Sequence, residues 1–312
     1  MPRERIRTAA AYGWSETLTE TENTVRDLNY QLKELCRRNR DGSHATQRDR
    51  ERILSLIADQ LHTLGFRGMS SGSLKPKHVE ALLGHWKRED LSVGTIKNRL
   101  AALRWWAQKV DRQNVIARSN AHYGIPERRF VADGSKARTV EETDLDKVRD
   151  PHVRMSLELQ RAFGLRREEA IKFSPSYADH GDHLLLKASW TKGGKARSVP
   201  VRTAEQREVL DRAHRVAGRG SLIPAERNYR QQLRVYERHT ANAGLSKLHG
   251  LRHQYAQSRY AELTGWKAPA AGGPSAKALS AKQRVLDREA RLIISRELGH
   301  EREQISAAYL GR

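Results

Sequence analysis

His249-Gly250-Leu251-Arg252-His253-Gln254-Tyr255-Ala256 is the stretch on which the reading of this chain turns. His249 and Arg252 stand three apart, so on a helix they share a face. There an imidazole can hydrogen-bond an oxyanion that a guanidinium clamps, and the guanidinium keeps its charge at any working pH. His249 and His253 are four apart, a spacing that also suits a metal ion. No Glu follows the first His and no third ligand suggests itself, so an anion site is preferred to a metal site. His253 alone reads as a buried, hydrogen-bonded histidine.

Working outward, a second arginine lies upstream in Gly164-Leu165-Arg166-Arg167-Glu168-Glu169. Glu169 falls three residues after Arg166 and can hold it in place, although an isolated Arg-x-x-Glu is more often a surface pair. Arg167 competes for the same role. Between the two arginines sits Thr191-Lys192-Gly193-Gly194-Lys195, in which Lys192 or Lys195 at a turn can reach an anion in a groove. An ammonium there can protonate a leaving alkoxide, but most turn lysines are simply solvated. Downstream come Leu298-Gly299-His300 and Tyr309. Nine residues of one unbroken helix would put His300 and Tyr309 on opposite sides, so a shared site needs a break, which Gly299 can supply as a helix C-cap. A phenol, with a reference pKa near 10, is a weak nucleophile at neutral pH, and neighbouring cations favour its phenolate form. Alone, Tyr309 would pass for a half-buried aromatic.

Taken in order, Arg166, Lys192, His249, Arg252, His300 and Tyr309 resemble the catalytic signature of the tyrosine recombinase (phage integrase) family. The likeness spans about residues 22–312 and is strongest at 162–170, 249–256 and 298–309. It favours Arg166 over Arg167 and Lys192 over Lys195. It implies a mainly α chain with a small β-sheet: an N-terminal helical, SAM-like core-binding domain and an α+β catalytic domain that clamp double-stranded DNA as a C. It implies that Tyr309 attacks a phosphodiester to form a 3′-phosphotyrosyl bond and that Lys192 protonates the departing 5′ oxygen. Arg166, Arg252, His249 and His300 then stabilise the transition state, with Glu169 in support. The bond energy is retained, so neither metal, ATP nor any other cofactor is implied. By the same resemblance Lys97, Asn98, Arg99 and Arg104 of Thr95-Ile96-Lys97-Asn98-Arg99-Leu100 and its continuation are DNA contacts, and the working form is a tetramer on synapsed DNA, with a monomer or weak oligomer when free. Two features depart from the pattern. Residues 264–285 lengthen the stretch between Arg252 and His300, and only Leu310, Gly311 and Arg312 follow the tyrosine. Many members have a further segment that docks on a neighbouring subunit, and the insertion is a candidate substitute.

The bulk properties agree with a polyanion as partner. In 312 residues, 58 Lys plus Arg outweigh 37 Asp plus Glu, a net charge of +21. That excess disfavours a small neutral substrate and points to nucleic acid. No apolar run is long enough for a membrane span and the N-terminus lacks an apolar signal core, so the expected location is cytoplasmic, on the nucleoid. The single cysteine, Cys36, excludes a disulfide framework.

Apolar spacing organises the rest. Residues 1–21 read as a flexible tail. Val25, Leu28, Leu32 and Leu35, then Ile53, Leu54, Ile57, Leu61 and Leu64, trace two helical stripes, and two more helices follow through Trp86 and Trp106, giving a helical domain at 22–111. Residues 112–138, with Arg112, Arg118, Arg128, Arg129, Lys136 and Arg138, read as a basic linker across a DNA backbone, Arg128 and Arg129 being its best contacts. The catalytic domain is 139–312. Within it 151–173 reads as one helical stretch, 183–190 and 196–201 as strands joined by a tight Gly-Gly turn, and 265–279 as a mobile Gly/Ala/Pro loop. Two other functions use the same residues or the same charge: a type IB topoisomerase-like enzyme, and a non-catalytic DNA-binding protein derived from an integrase.

Overall fold

The computed structural model of the chain describes residues 16–127, 131, 134–300 and 302–312, with side chains from Asp27 onward. Most of the 1–21 tail, the Val25 side chain, and Arg128 and Arg129 therefore lie outside the described residues. The chain divides into two compact units, Met1–Arg129 and Phe130–Arg312.

The first unit carries α1 (Glu16–Arg38), α2 (His44–Thr63), α3 (Pro76–Arg88) and α4 (Val93–Lys109). Ser43 and Ser92 cap α2 and α4, each hydroxyl accepting a backbone N–H three residues on, which satisfies a donor the helix leaves unpaired. The expected stripes meet in one core, where Leu54, Ile57, Leu61, Trp86 and Trp106 are fully buried. Burying an indole strands its N–H unless a partner is found. Trp86 Nε1 donates to Gln60 and Trp106 Nε1 to the Ser71 carbonyl, at 2.9 and 2.7 Å.

The start of the 112–138 segment packs onto the helices of the first unit. Ile116 and Ile125 are buried in the same core, and two 3-10 turns, Gln113–Val115 and Ala121–Tyr123, bring them there. Arg104 fastens this segment: its Nε donates to the Ala117 carbonyl and its Nη2 to Asn120. Two isoleucines nine apart in a polar stretch carry no periodic signal, which is why the sequence concealed the packing.

The second unit is organised round α6 (Pro151–Phe163), capped by Asp150. Met155, Leu159 and Phe163 join the main core, while Val153 and Leu157 join a smaller one with Ile171, Tyr236 and Leu251. The short α5 (Glu142–Leu145) precedes it. After it come α7 (Arg167–Ile171), α8 (Pro175–Ala178), β1 (His183–Leu186), β2 (Arg197–Pro200), α9 (Ala204–Ala217), α10 (Tyr229–Asn242), α11 (Gly250–Thr264), α12 (Ala281–Glu297) and α13 (Ala307–Leu310). The strands pair antiparallel, from His183 opposite Pro200 to Leu186 opposite Arg197, and Leu184, Leu186 and Val199 turn into the core.

Three expectations change. The stretch 151–173 is not one helix: Gly164 ends α6 with φ of +61°, and a Cβ there would come 2.6 Å from the Tyr255 ring, so the break needs glycine. Strand pairing stops at Leu186 and Arg197, and residues 187–196 form a longer connection with a 3-10 turn at Ala188–Trp190, not a tight hairpin. Residues 265–279 are folded, not a mobile loop. Ala268, Ala270 and Leu279 are buried, a 3-10 turn spans Pro269–Ala271, and Gly273 N–H donates to the Ala268 carbonyl. Small alanines make a poor hydrophobic signature yet fill a close-packed interior well. Among the described residues no helix is long and apolar enough to cross a membrane.

Candidate active site

The break at Gly164 places Arg166 immediately before α7, and Glu169 within its first turn. The Glu169 carboxylate accepts the Arg166 backbone N–H at 2.7 Å and its Nη1 at 2.8 Å. A residue that the sequence reading missed completes this lock. Arg197, on β2, donates Nη1 and Nη2 to the two Glu169 oxygens at 2.6 and 2.7 Å, and Nε to the Glu297 carbonyl at 3.0 Å. Glu169 has no exposed surface. Burial alone would push its carboxyl up, but the Arg197 hydrogen bonds and charge, with Arg252 and Arg166, hold it down at about 2. Lone arginines in strands are common, so only the geometry singles out Arg197.

Arg252 is the centre of the cluster, with 1% of its surface exposed. Its Nη1 donates to the Gly164 carbonyl at 2.6 Å, its Nη2 to the Leu298 carbonyl, and its Nε to the Tyr309 hydroxyl at 3.3 Å. One guanidinium thus ties the end of α6, the end of α12 and α13 to α11. Burial lowers its pKa to about 10, which leaves it cationic at neutral pH. Arg166 Nη2 reaches the same Leu298 carbonyl at 3.2 Å and lies 3.4 Å from His300 Nε2. The two arginines therefore stand side by side on a shared acceptor, with Glu169 offsetting their charge.

The predicted break after α12 is present: Gly299 has φ of +69°, and His300 leaves the helix toward Arg166. Tyr309, on α13, is 7% exposed, and its ring lies 6.3 Å from His300, 6.2 Å from His249 and 4.7 Å from His253. Burial, then Arg252 and Arg166, lower the pKa of His300 to about 4 and depress that of His249, to which Lys192 also contributes. His253 is buried as expected and is likewise lowered to about 4, but its Nδ1 has no hydrogen-bond partner among the described residues. Satisfied it is not.

Arg166, Lys192, Lys195, Arg197 and His300 line a cavity of about 380 Å³, with Arg296 and Arg302 at its wall. Both rival lysines thus face one hollow. Tyr309 and Arg252 are not among its lining residues, so the phenol rests against buried Arg252 rather than in the open hollow. Among the described residues no group of three His, Cys, Asp or Glu side chains is placed to hold a metal ion.

The DNA-contact candidates on α4 separate. Asn98 is exposed and Lys97 half-exposed. Arg99 lies over the Trp86 ring at 5.4 Å, and its buried Nη1 has no hydrogen-bond partner among the described residues. Arg104 is half-buried, with Nε and Nη2 engaged inside its own unit as described above.

The sequence matches two family models: one described as phage integrase, N-terminal, over residues 25–116, and one described as integrase, over residues 126–258. The second match contains Arg166, Lys192, His249 and Arg252 and stops short of His300 and Tyr309. No curated protein matches. Among solved structures, a lambda integrase dimer bound to a COC′ core site is similar with a TM-score of 0.61 at 15% identity, over 95% of this chain and 81% of that one. XerH site-specific recombinase bound to a palindromic difH substrate, in a post-cleavage complex, gives 0.58 at 17% identity, over 95% and 85%. A lambda integrase tetramer bound to a Holliday junction gives 0.57 at 14% identity, over 94% and 80%. At these identities the likeness is one of fold.

Proposed function

The chain belongs to the tyrosine recombinase (phage integrase) family, and from that premise we propose that it is a site-specific recombinase that cuts and rejoins double-stranded DNA through a 3′-phosphotyrosyl link, in the service of a mobile element. The observation that carries the proposal is Arg252: it holds the Tyr309 hydroxyl and shares the Leu298 carbonyl with Arg166, which in turn touches His300. Nucleophile, cationic clamp and imidazole come from four separate segments and converge on one point.

The chemistry follows from these groups. A scissile phosphate enters the basic hollow at Arg166 and reaches toward Arg252, which lies buried behind that lining beside Tyr309, and the two guanidinium groups together neutralise its nonbridging oxygens. The Tyr309 oxygen forms a bond to phosphorus while the bond from phosphorus to the 5′ oxygen breaks. Lys192 Nζ supplies the proton that the 5′ oxygen needs. His249 and His300, whose pKa values burial and the neighbouring arginines depress in the DNA-free chain, can each accept the phenolic proton at an unprotonated ring nitrogen and donate the other ring N–H to the phosphate. Charge that grows on the pentacoordinate phosphorus meets fixed guanidinium donors, which cost no reorganisation at the moment of reaction. A 5′ hydroxyl from a second duplex reverses the step. Energy stays in the ester, so ATP and metal have no necessary part. Lys97, Asn98 and Arg99 contact DNA from α4, Arg128 and Arg129 follow from the basic segment, and the active assembly is a tetramer on two duplexes, the form in which lambda integrase is seen on a Holliday junction.

The test uses a pool of nicked duplexes with randomised sequence beside the nick, so that the short leaving strand diffuses away and traps the intermediate. Wild type should give a denaturant-stable protein–DNA adduct, and Tyr309→Phe should bind the pool without forming one. An adduct from Tyr309→Phe, or binding by wild type with no adduct, refutes the assignment. Relaxation of supercoils without exchange between two captured sites would favour a topoisomerase-like activity instead.

A further inference from the structure

Within the 264–285 insertion, the folded residues 265–279 bear on Tyr309. The backbone that carries the tyrosine is gripped on both sides of it. Gln257 Nε2, on α11, donates to the Tyr309 carbonyl at 2.9 Å. Arg291 Nη1, on α12, donates to the Gly311 carbonyl at 2.9 Å, and Arg291 is itself 97% buried, being 3% exposed. The guanidinium is aimed by Asp287, which accepts Arg291 Nε at 2.8 Å and the Tyr260 hydroxyl at 2.5 Å. From the insertion, the turn at Pro269–Ala271 presses on Gly311: a Cβ added there would lie 2.8 Å from the Ala270 nitrogen, and Gly311 has φ of +72°. No side chain fits between the turn and this residue without displacing the segment. Leu310 is fully buried between these contacts.

We infer that Arg291 and the 268–271 turn are positioning elements that seat Tyr309 from within its own protomer, so that the tyrosine backbone is already placed before DNA arrives and only its side chain turns toward the phosphate. The inference rests on Tyr309 as nucleophile for its purpose, but the seating itself is independent of that reading. Arg291 touches no reacting atom. It acts through the Gly311 carbonyl, two residues beyond the tyrosine. Misplacing a reacting atom by about 1 Å costs on the order of 100-fold in rate, so loss of the anchor should be visible in cleavage long before it is visible in binding.

The experiment separates the two ideas. Fluorotyrosine is incorporated at position 309 of the full chain, and its ¹⁹F resonance is recorded without DNA for wild type, Arg291→Met, Arg291→Lys and Gly311→Ala. Melting curves and binding to the nicked pool are taken alongside. A seated tyrosine gives one dispersed resonance in wild type. Arg291→Met and Gly311→Ala should move or broaden it toward the free-tyrosine position, and Arg291→Lys, which can still reach the Gly311 carbonyl, should recover part of the wild-type signal. Adduct formation should fall on the order of 100-fold for Arg291→Met and recover in parallel for Arg291→Lys, with DNA affinity within about twofold of wild type. An unchanged resonance in Arg291→Met and Gly311→Ala, or a wild-type resonance already at the free-tyrosine position, overturns the seating. If the methionine variant unfolds, Gly311→Ala decides the matter alone. Absence of any wild-type adduct would instead sink the recombinase reading, while the fluorine spectra still decide whether the tyrosine is held.

Discussion

Replacing Glu169 by Gln should unlock the site from beneath. Each carboxylate oxygen of Glu169 accepts one hydrogen bond from Arg166 and one from Arg197. In Gln, one oxygen becomes an NH₂. Whichever way the amide turns, two of the four bonds are lost and a donor faces two donors. Charge-assisted bonds contribute roughly 1.5–3 kcal/mol each, so the loss is on the order of 3 kcal/mol or more. A second route gives a similar size. A fall in the carboxyl pKa from 4.5 to about 2 corresponds to about 3 kcal/mol of stability at pH 7. Because the folded pKa is depressed, that contribution is complete above pH 4.5 and disappears as pH drops through about 2. At pH 3 roughly half or less should remain. The assay is equilibrium urea unfolding of wild type and Glu169→Gln from pH 7 down to pH 3, with the difference between the two isolating this one carboxyl from all others. Glu169→Gln should be destabilised by about 3 kcal/mol at pH 7, with the gap narrowing toward pH 3. Cleavage should slow as well, since Arg166 loses its aim. A gap under about 1 kcal/mol, or one that widens in acid, would refute the view of Glu169 as a buried anion holding two guanidinium groups.

Other outcomes follow from the same geometry. Lys192→Ala should slow adduct formation roughly 100-fold or more, and a substrate with sulfur in place of the 5′-bridging oxygen should restore it, because a thiolate leaves without a proton. Failure of the sulfur substrate to rescue Lys192→Ala, together with rescue of Lys195→Ala, would move the role to Lys195. The imidazoles of His300 and His253 should titrate near pH 4 by NMR in the DNA-free protein and rise on binding duplex, whose phosphate favours the protonated rings; midpoints near 6.5 without DNA would contradict the burial and cation crowding that lower them. Arg104→Ala should cost about 1–3 kcal/mol of stability while leaving the salt dependence of DNA binding unchanged, whereas Lys97→Ala should spare stability and reduce the salt slope by about 1.

How much of this was legible depended on periodicity and motif. Helices with a stripe, such as α2 and α6, were readable because Leu54, Ile57 and Leu61, or Leu159 and Phe163, recur at helical spacing and are buried. The His249–Arg252 pair and the break at Gly299 were readable because short spacings fix relative direction. Contacts that depend on distant segments were not. Arg197 meets Glu169 across 28 residues, and nothing local marks it. Ala268 and Ala270 are buried in a stretch whose Gly, Ala and Pro content is the same as that of a solvated loop. Arg104 looked like a groove-facing cation and turned inward because two isoleucines drew residues 112–125 onto the helices. The orphan Nδ1 of His253 could not be anticipated either, since a sequence does not record which buried atoms lack a partner.

The most direct measurement is the chemical identity of the protein–DNA bond. Wild-type adduct from the nicked pool is digested with protease and nuclease, and the modified peptide is sequenced by mass spectrometry. The expected peptide contains Tyr309 carrying a nucleotide through its 3′ phosphate. An adduct on any other residue, or a tyrosine joined to a 5′ phosphate, would contradict the mechanism built on Arg252 and its neighbours.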